Sequence, residues 1–226
     1  MNLAAIIPES GAEAGAFFLP NEHLLGLVKY AASAEVQSRI SLGSLGEVVV
    51  YPQNRGYTAR VPDWSVFCRS RAAAFQVAPG LGPTADGHGA ERDIGELLWI
   101  AAFHLSDGRL PVGSSKYDVI NLRHWPNLSR LPSSTAVMQL CALLARRPSA
   151  LHLARKLLNV GEADAYRFYS AALASGAVEL VSRAPAQNDA DRGPAPPPPA
   201  EPIAERASKN SEQSLLRNLW NKIAGL

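Results

Sequence analysis

The residues best suited to chemistry in this chain of 226 residues stand together between Leu122 and Pro132. The run Leu122-Arg123-His124-Trp125-Pro126-Asn127-Leu128-Ser129-Arg130-Leu131-Pro132 has neither helical nor strand period. Its indole, guanidinium and amide groups, on a backbone stiffened by proline, suit recognition rather than bond making, since Trp and Arg most often dominate protein interfaces. Arg123, Trp125, Asn127 and Arg130, with Arg109 upstream, are therefore the candidate recognition residues. The favoured alternative is structural: Trp125 fills a seam between two halves of the chain, Pro126 and Pro132 stiffen the connector, and Asn127 caps a turn.

Other chemistries find little to work with. His23, His88, His104, His124 and His152 are scattered, with no spacing that would present two ligands to a metal. No Gly-x-Ser-x-Gly elbow is present. Cys68 and Cys141 are lone residues among apolar neighbours, which predicts buried thiols and a reducing compartment rather than a nucleophile or a disulfide. The stretch Pro79–Gly89 has glycines near phosphate-loop spacing. However, Pro83 removes a backbone donor, and His88 and Gly89 stand where Lys and Ser/Thr would be needed. It reads as a surface loop. No catalytic residue, cofactor or metal ligand is expected.

The elements that must position the Trp-Pro-Asn stretch are legible from periodicity. Apolar residues at 47% and charged residues at 19% suit a globular chain, and a net charge of +2 gives no strong field toward nucleic acid or anionic lipid. The N-terminus lacks a basic leader, and the longest apolar run, Leu97 to Phe103, is far short of a membrane span. A soluble, cytoplasmic protein is expected.

Residues 1–19 read as a flexible N-terminus and 20–121 as an α+β domain. Asn21 is the expected cap of a helix with Leu24, Leu27, Val28 and Ala31 inward. Strands are expected at Val36–Leu42, Glu47–Tyr51 and Gly56–Val61, with a hairpin loop over Pro52–Gly56, and further strands at Trp64–Arg69 and Ala74–Val77. A helix is expected over 92–105, with Ile94, Leu97, Leu98, Ala101 and Leu105 on one face.

After the connector, 122–132, residues 133–183 read as three helices and a strand. The first is capped by Ser133 or Ser134, with Val137, Leu140, Cys141 and Leu144 inward. The second has Ala150, Ala154, Leu157 and Leu158 inward. The third has Ala165, Phe168, Tyr169 and Ala172 inward and stops at Gly176, before a strand at Val178–Val181. That order suggests a winged-helix-like domain.

Residues 184–208, rich in Pro and Ala, predict a disordered linker. Residues 209–226 predict an amphipathic docking helix whose partner-binding face carries Leu215, Leu219, Trp220 and Ile223. A groove on a partner is the favoured destination; docking on the chain's own body or weak peripheral membrane contact are the alternatives. DNA binding is the rival function, because the third helix stands in the recognition position. Its predicted outward residues, Glu162, Tyr166, Arg167, Ser170 and Ala174, with Asp164 at the same end, place acid where a groove-entering helix needs cations, so nucleic acid is not the expected partner.

The motif Arg123-x-Trp125-Pro126-Asn127-x-x-Arg130-Leu131, the preceding Ser106-Asp107-Gly108-Arg109-Leu110-Pro111 and the later Phe168-Tyr169-Ser170-Ala171-Ala172 resemble an uncharacterised group of proteobacterial proteins. That group is associated with small GTPases of the MglA type and their roadblock partners. The resemblance covers about residues 92–180 and implies a place in signalling, with a small GTPase as partner; it implies no catalytic residues. The N-terminal helix and the Glu47–Val61 hairpin also resemble PATAN-type signalling domains, with Pro52-Gln53-Asn54-Arg55-Gly56 in place of a Gly-rich turn. The function expected is a non-catalytic adaptor in bacterial signalling.

Overall fold

In the computed structural model, residues 17–79 and 91–183 are described. The glycine-containing loop, the Pro/Ala linker and the segment carrying Leu215, Leu219, Trp220 and Ile223 fall outside the described residues. The chain is a mixed α/β protein with antiparallel sheets. No helix among the described residues is long and apolar enough to cross a membrane.

The first described element is β1 (Phe17–Phe18), followed by a tight turn at Pro20–Glu22 and by α1 (Leu24–Ser33), which buries Leu24, Leu25, Val28 and Ala31. The predicted cap, Asn21, lies inside the tight turn. The capping position belongs to His23, which is extended and whose carbonyl accepts from the Gly26 amide at 3.0 Å. Glycine at 26 has a steric reason: a Cβ there would stand 2.6 Å from the Asn21 Cα. Gly26→Ala is expected to cost about 1–3 kcal/mol by overpacking, read as a lower denaturation midpoint. An unchanged midpoint would show that the turn at Pro20–Glu22 yields freely.

The strands β2 (Ser38–Ser41), β3 (Glu47–Tyr51) and β4 (Gly56–Arg60) fall within the predicted runs and form an antiparallel meander. Val48, Val49, Val50 and Tyr57 are buried. Trp64–Arg69 is a helix, α2, and not the expected strand. The reason is local. Asp63 Oδ1 accepts from the amides of Ser65 at 2.8 Å and Val66 at 3.3 Å, satisfying donors that a helix start leaves unpaired. A tight turn at Ala72–Ala74 then delays the next strand to β5 (Gln76–Pro79). With β6 (Arg92–Asp93), the sheet runs in the order β5-β2-β3-β4-β6.

Helix α3 (Ile94–Ser106) departs from its predicted single apolar face. Trp99, Ile100 and Ala102 are buried as well as Leu97, Ala101 and Leu105, while Leu98 is only half-buried. A helix apolar on several sides must be covered on several sides. Here α1 and α2 pack on it, and so does α6 (Glu162–Ser175) from the C-terminal half. Strand β7 (Leu110–Pro111) pairs in parallel with β1, and β8 (Val119–Leu122) leads into the connector.

Helix α4 (Thr135–Leu144) is capped by the Ser134 hydroxyl and buries Val137, Leu140, Cys141 and Leu144, as its period requires. Residues Ser149–Ala150 form β9, paired with β8, so α5 (Leu151–Leu157) starts later than predicted. That changes its phase: Leu151 and Ala154 are buried, and Leu157 is 63% exposed rather than inward. Helix α6 buries the expected Ala165, Phe168, Tyr169 and Ala172 and also Ser170, which its period predicts outward; the Ser170 hydroxyl donates to the Arg109 carbonyl at 3.5 Å, just before β7. Gly176, at φ +78, ends the helix in the left-handed conformation that glycine adopts without penalty. Strand β10 (Val178–Ser182) completes a three-stranded antiparallel sheet, β10-β8-β9. Buried side chains of residues 20–121 and 133–183 form one continuous core.

Candidate connector groove

The connector is held on three sides. At its start, the amides of Arg123 and His124 reach the Ala177 carbonyl at 2.8 and 3.4 Å. Within it, the Leu128 amide bonds the Pro126 carbonyl at 2.9 Å and the Arg130 amide bonds the Asn127 carbonyl at 3.1 Å. The Ser129 hydroxyl donates to Asn127 Oδ1 at 2.7 Å, so Asn127 organises a turn while remaining exposed. At its end, the buried indole of Trp99 donates from Nε1 to the Pro132 carbonyl at 3.1 Å. Pro126 and Leu131 are buried beneath.

Arg92 supplies the third brace. Its Nε donates to Glu96 Oε2 at 2.7 Å, its Nη2 donates to the Arg130 carbonyl at 3.2 Å, and its guanidinium lies 5.6 Å from the centre of the Tyr57 ring. One side chain thus ties the meander, α3 and the connector together. Burial pushes the Tyr57 hydroxyl up to about 12 and keeps it neutral. Arg55, at the hairpin tip with φ +50, turns its carbonyl to the Ile94 amide at 2.8 Å, and Asp93 Oδ1 accepts from the Gly95 amide at 2.7 Å. Hairpin tip and helix start are thereby fixed against each other.

Between these braces lies a groove of about 410 Å³. Trp125, Pro126, Leu131 and Trp99 supply its apolar surface, and Arg55, Asp93, Glu96, His124 and Asn127 its polar groups. Trp125 is 54% exposed. The seam that it was expected to fill is filled by Trp99, fully buried and edge-on to Phe168 at 6.2 Å between ring centres.

The other predicted recognition residues separate. Arg123 is exposed and 3.8 Å from Glu179. Arg130 is exposed and contributes its carbonyl to the Arg92 brace. Arg109 is away from the groove: its guanidinium bonds the Ser106 and Leu105 carbonyls at 3.3 and 3.5 Å, neutralising the end of α3. Sequence reading missed Arg92, Arg55, Asp93, Glu96 and Trp99. The Arg92/Glu96 spacing of four was a visible signal for an ion pair, which forms although Arg92 lies in β6, just before α3. Nothing local marked Arg55 as a neighbour of α3.

A second polar node is buried. Asp118 is 0% exposed; its Oδ2 accepts from the Tyr169 hydroxyl at 2.6 Å and from the Ser115 amide at 3.1 Å. Burial and the neighbouring carboxylate hold the Tyr169 hydroxyl protonated, well above the usual tyrosine range. Both cysteines are buried thiols, and burial pushes Cys141 up to about 12 and Cys68 higher still. Burial lowers His104, helped by nearby Arg69. Among the described residues no group of three or more His, Cys, Asp or Glu is arranged to hold a metal ion. No protein-family model matches the chain, and no curated protein or solved structure matches it.

Proposed function

We propose that the protein is a non-catalytic adaptor in bacterial signalling, working beside a small-GTPase system, with the connector groove as its recognition edge. One observation carries this reading. Trp125 is half in solvent on a loop whose backbone is hydrogen-bonded at its start, middle and end. An exposed indole on a braced backbone loses little freedom on binding, which favours its use as an interface anchor. Arg123 and the Asn127 turn stand beside it as polar rim. The segment with Leu215, Leu219, Trp220 and Ile223 remains the second proposed contact, and cytoplasmic residence the proposed setting.

The order α4-β9-α5-α6-β10 supports a winged-helix-like unit, with an unusual source for one strand. The central strand of its sheet, β8, comes from before the first helix rather than from a hairpin after β10. The same topology keeps DNA binding as the rival reading, and Arg146, Arg147 and Lys156 are exposed on and beside α4 and α5. Base reading by α6 is disfavoured. Its side toward α3 is buried, and its N-terminal end carries Glu162 and Asp164, paired with Arg155 at 2.8 Å and Arg167 at 3.5 Å.

The experiment is affinity purification of the full chain from its native cells, followed by binding measurements on the partner recovered. Trp125→Ala is expected to weaken that partner by about 2 kcal/mol, roughly thirtyfold, with an unchanged thermal midpoint. Salt-dependent binding to arbitrary duplex DNA that Trp125→Ala leaves intact, with no protein partner lost, would overturn the adaptor reading.

A further inference from the structure

A separate cavity of about 240 Å³ shares no lining residue with the connector groove. Four parts of the chain build it: β1 with α1, the loop after β7, the second half of α6, and the end of β10. Its floor is apolar. Phe18 and Leu25 are buried, and Leu173 is half-buried. Its charged groups are of one sign, for Lys29 and Arg183 line it and no Asp or Glu does among the described residues.

Both cations are exposed to solvent. Lys29 is exposed, and its side chain takes no part in a hydrogen bond or ion pair among the described residues. Arg183 is half-exposed. Among the described residues its one carboxylate neighbour is Asp118, whose Oδ1 stands 3.9 Å from Nε, beyond hydrogen-bond reach. That oxygen is itself buried without a hydrogen-bond partner among the described residues, so charge holds Arg183 near the cavity while its donors make no hydrogen bond to those residues. Hydroxyls of Ser114 and Ser170 add polar atoms at the wall. Gly113, at φ +84 with open space where a Cβ would stand, leaves the mouth clear.

We propose that this cavity binds a small amphipathic anion, a carboxylate or phosphate monoester on a short apolar body. The head lies between Lys29 and Arg183, and the body rests on Phe18, Leu25 and Leu173. Two cations with no acid in the lining among the described residues select a negative head, which competes for Arg183 only with the buried Asp118 carboxylate at 3.9 Å, and partial enclosure weakens the screening that salt imposes on exposed charges. The volume equals about eight liquid waters at ~30 Å³ each, which suits a head and a chain of about six carbons. The apolar floor separates this ligand from a bare ion, which would leave it wetted.

Amide-resolved NMR titration of the full chain tests it, with hexanoate, hexyl phosphate, inorganic phosphate and 1-hexanol as probes. Hexanoate or hexyl phosphate is expected to shift the amides of Lys29, Gly113, Leu173 and Arg183 saturably, and the tighter of the two identifies the head. Phosphate alone and hexanol alone are expected to bind about tenfold or more weakly, as is the tighter probe to the K29Q/R183Q double variant. If Arg183→Gln lowers the thermal midpoint, K29Q alone carries the comparison, since the Lys29 side chain makes no hydrogen bond or ion pair among the described residues. Equal binding of hexanol and hexanoate, equal binding of phosphate and hexyl phosphate, undiminished binding by the variant, or no saturation below about 10 mM would each overturn the proposal.

Discussion

Trp99→Ala is expected to lower the unfolding free energy by about 3–5 kcal/mol, the usual cost of truncating a buried large aromatic. That is a large share of the roughly 5–15 kcal/mol that holds a typical domain together. Three losses combine at this position. The indole is fully buried, so its removal leaves a void between α3 and α6. Its edge-on contact with Phe168, at 6.2 Å and 74° between ring planes, disappears. Its Nε1–H no longer satisfies the Pro132 carbonyl, which frees the end of the connector. Chemical denaturation with two probes, far-UV circular dichroism and Trp fluorescence, measures the effect. Trp99→Phe separates the terms: it retains most of the packing and loses the hydrogen bond, and is expected to cost about 1–3 kcal/mol. If Trp99→Ala costs no more than an exposed substitution, the two halves do not depend on this seam.

Asp118→Ala is expected to cost about 2–4 kcal/mol, from losing hydrogen bonds to a charged acceptor and stranding a buried hydroxyl. Asp118 sits where three segments converge. Its carboxylate holds Tyr169 of α6 and the Ser115 amide, and its carbonyl accepts from the Leu151 amide at 3.1 Å at the start of α5. Tyr169→Phe removes the donor while the Ser115 amide still serves the carboxylate, so its cost is expected to be smaller, about 1–2 kcal/mol. The double variant is the decisive measurement. It strands no hydroxyl, so its cost should fall short of the sum of the singles by about 0.5–3 kcal/mol. Strict additivity would mean that the 2.6 Å contact between Asp118 and Tyr169 contributes nothing specific to the fold.

These two positions show where sequence reading reaches its limit. Residues 118 and 169 are 51 apart and residues 99 and 132 are 33 apart. Neither pairing leaves a periodic trace. The candidate site was half legible in the same sense. The unusual composition of the Trp-Pro-Asn stretch marked it out, and it does line a groove. Its partners Arg55, Arg92 and Glu96 arrive from the hairpin, β6 and α3, and only the packed chain brings them there.

What the sequence determined by itself was whatever depends on short-range bonds. The inward residues of α4, its cap at Ser133 or Ser134, the stop at Gly176 and the three-strand meander follow from local period, from capping and from the freedom of glycine at positive φ. Tertiary structure decided the rest. The pairing of β9 with β8 delayed α5 and turned Leu157 outward, because hydrogen bonds to a distant strand outcompete one more helical turn. It chose Trp99 over Trp125 as the buried indole, because a helix apolar on several sides must lie between covering elements, while a loop residue can face water. Periodicity states that a face must be covered; only the assembled chain states what covers it.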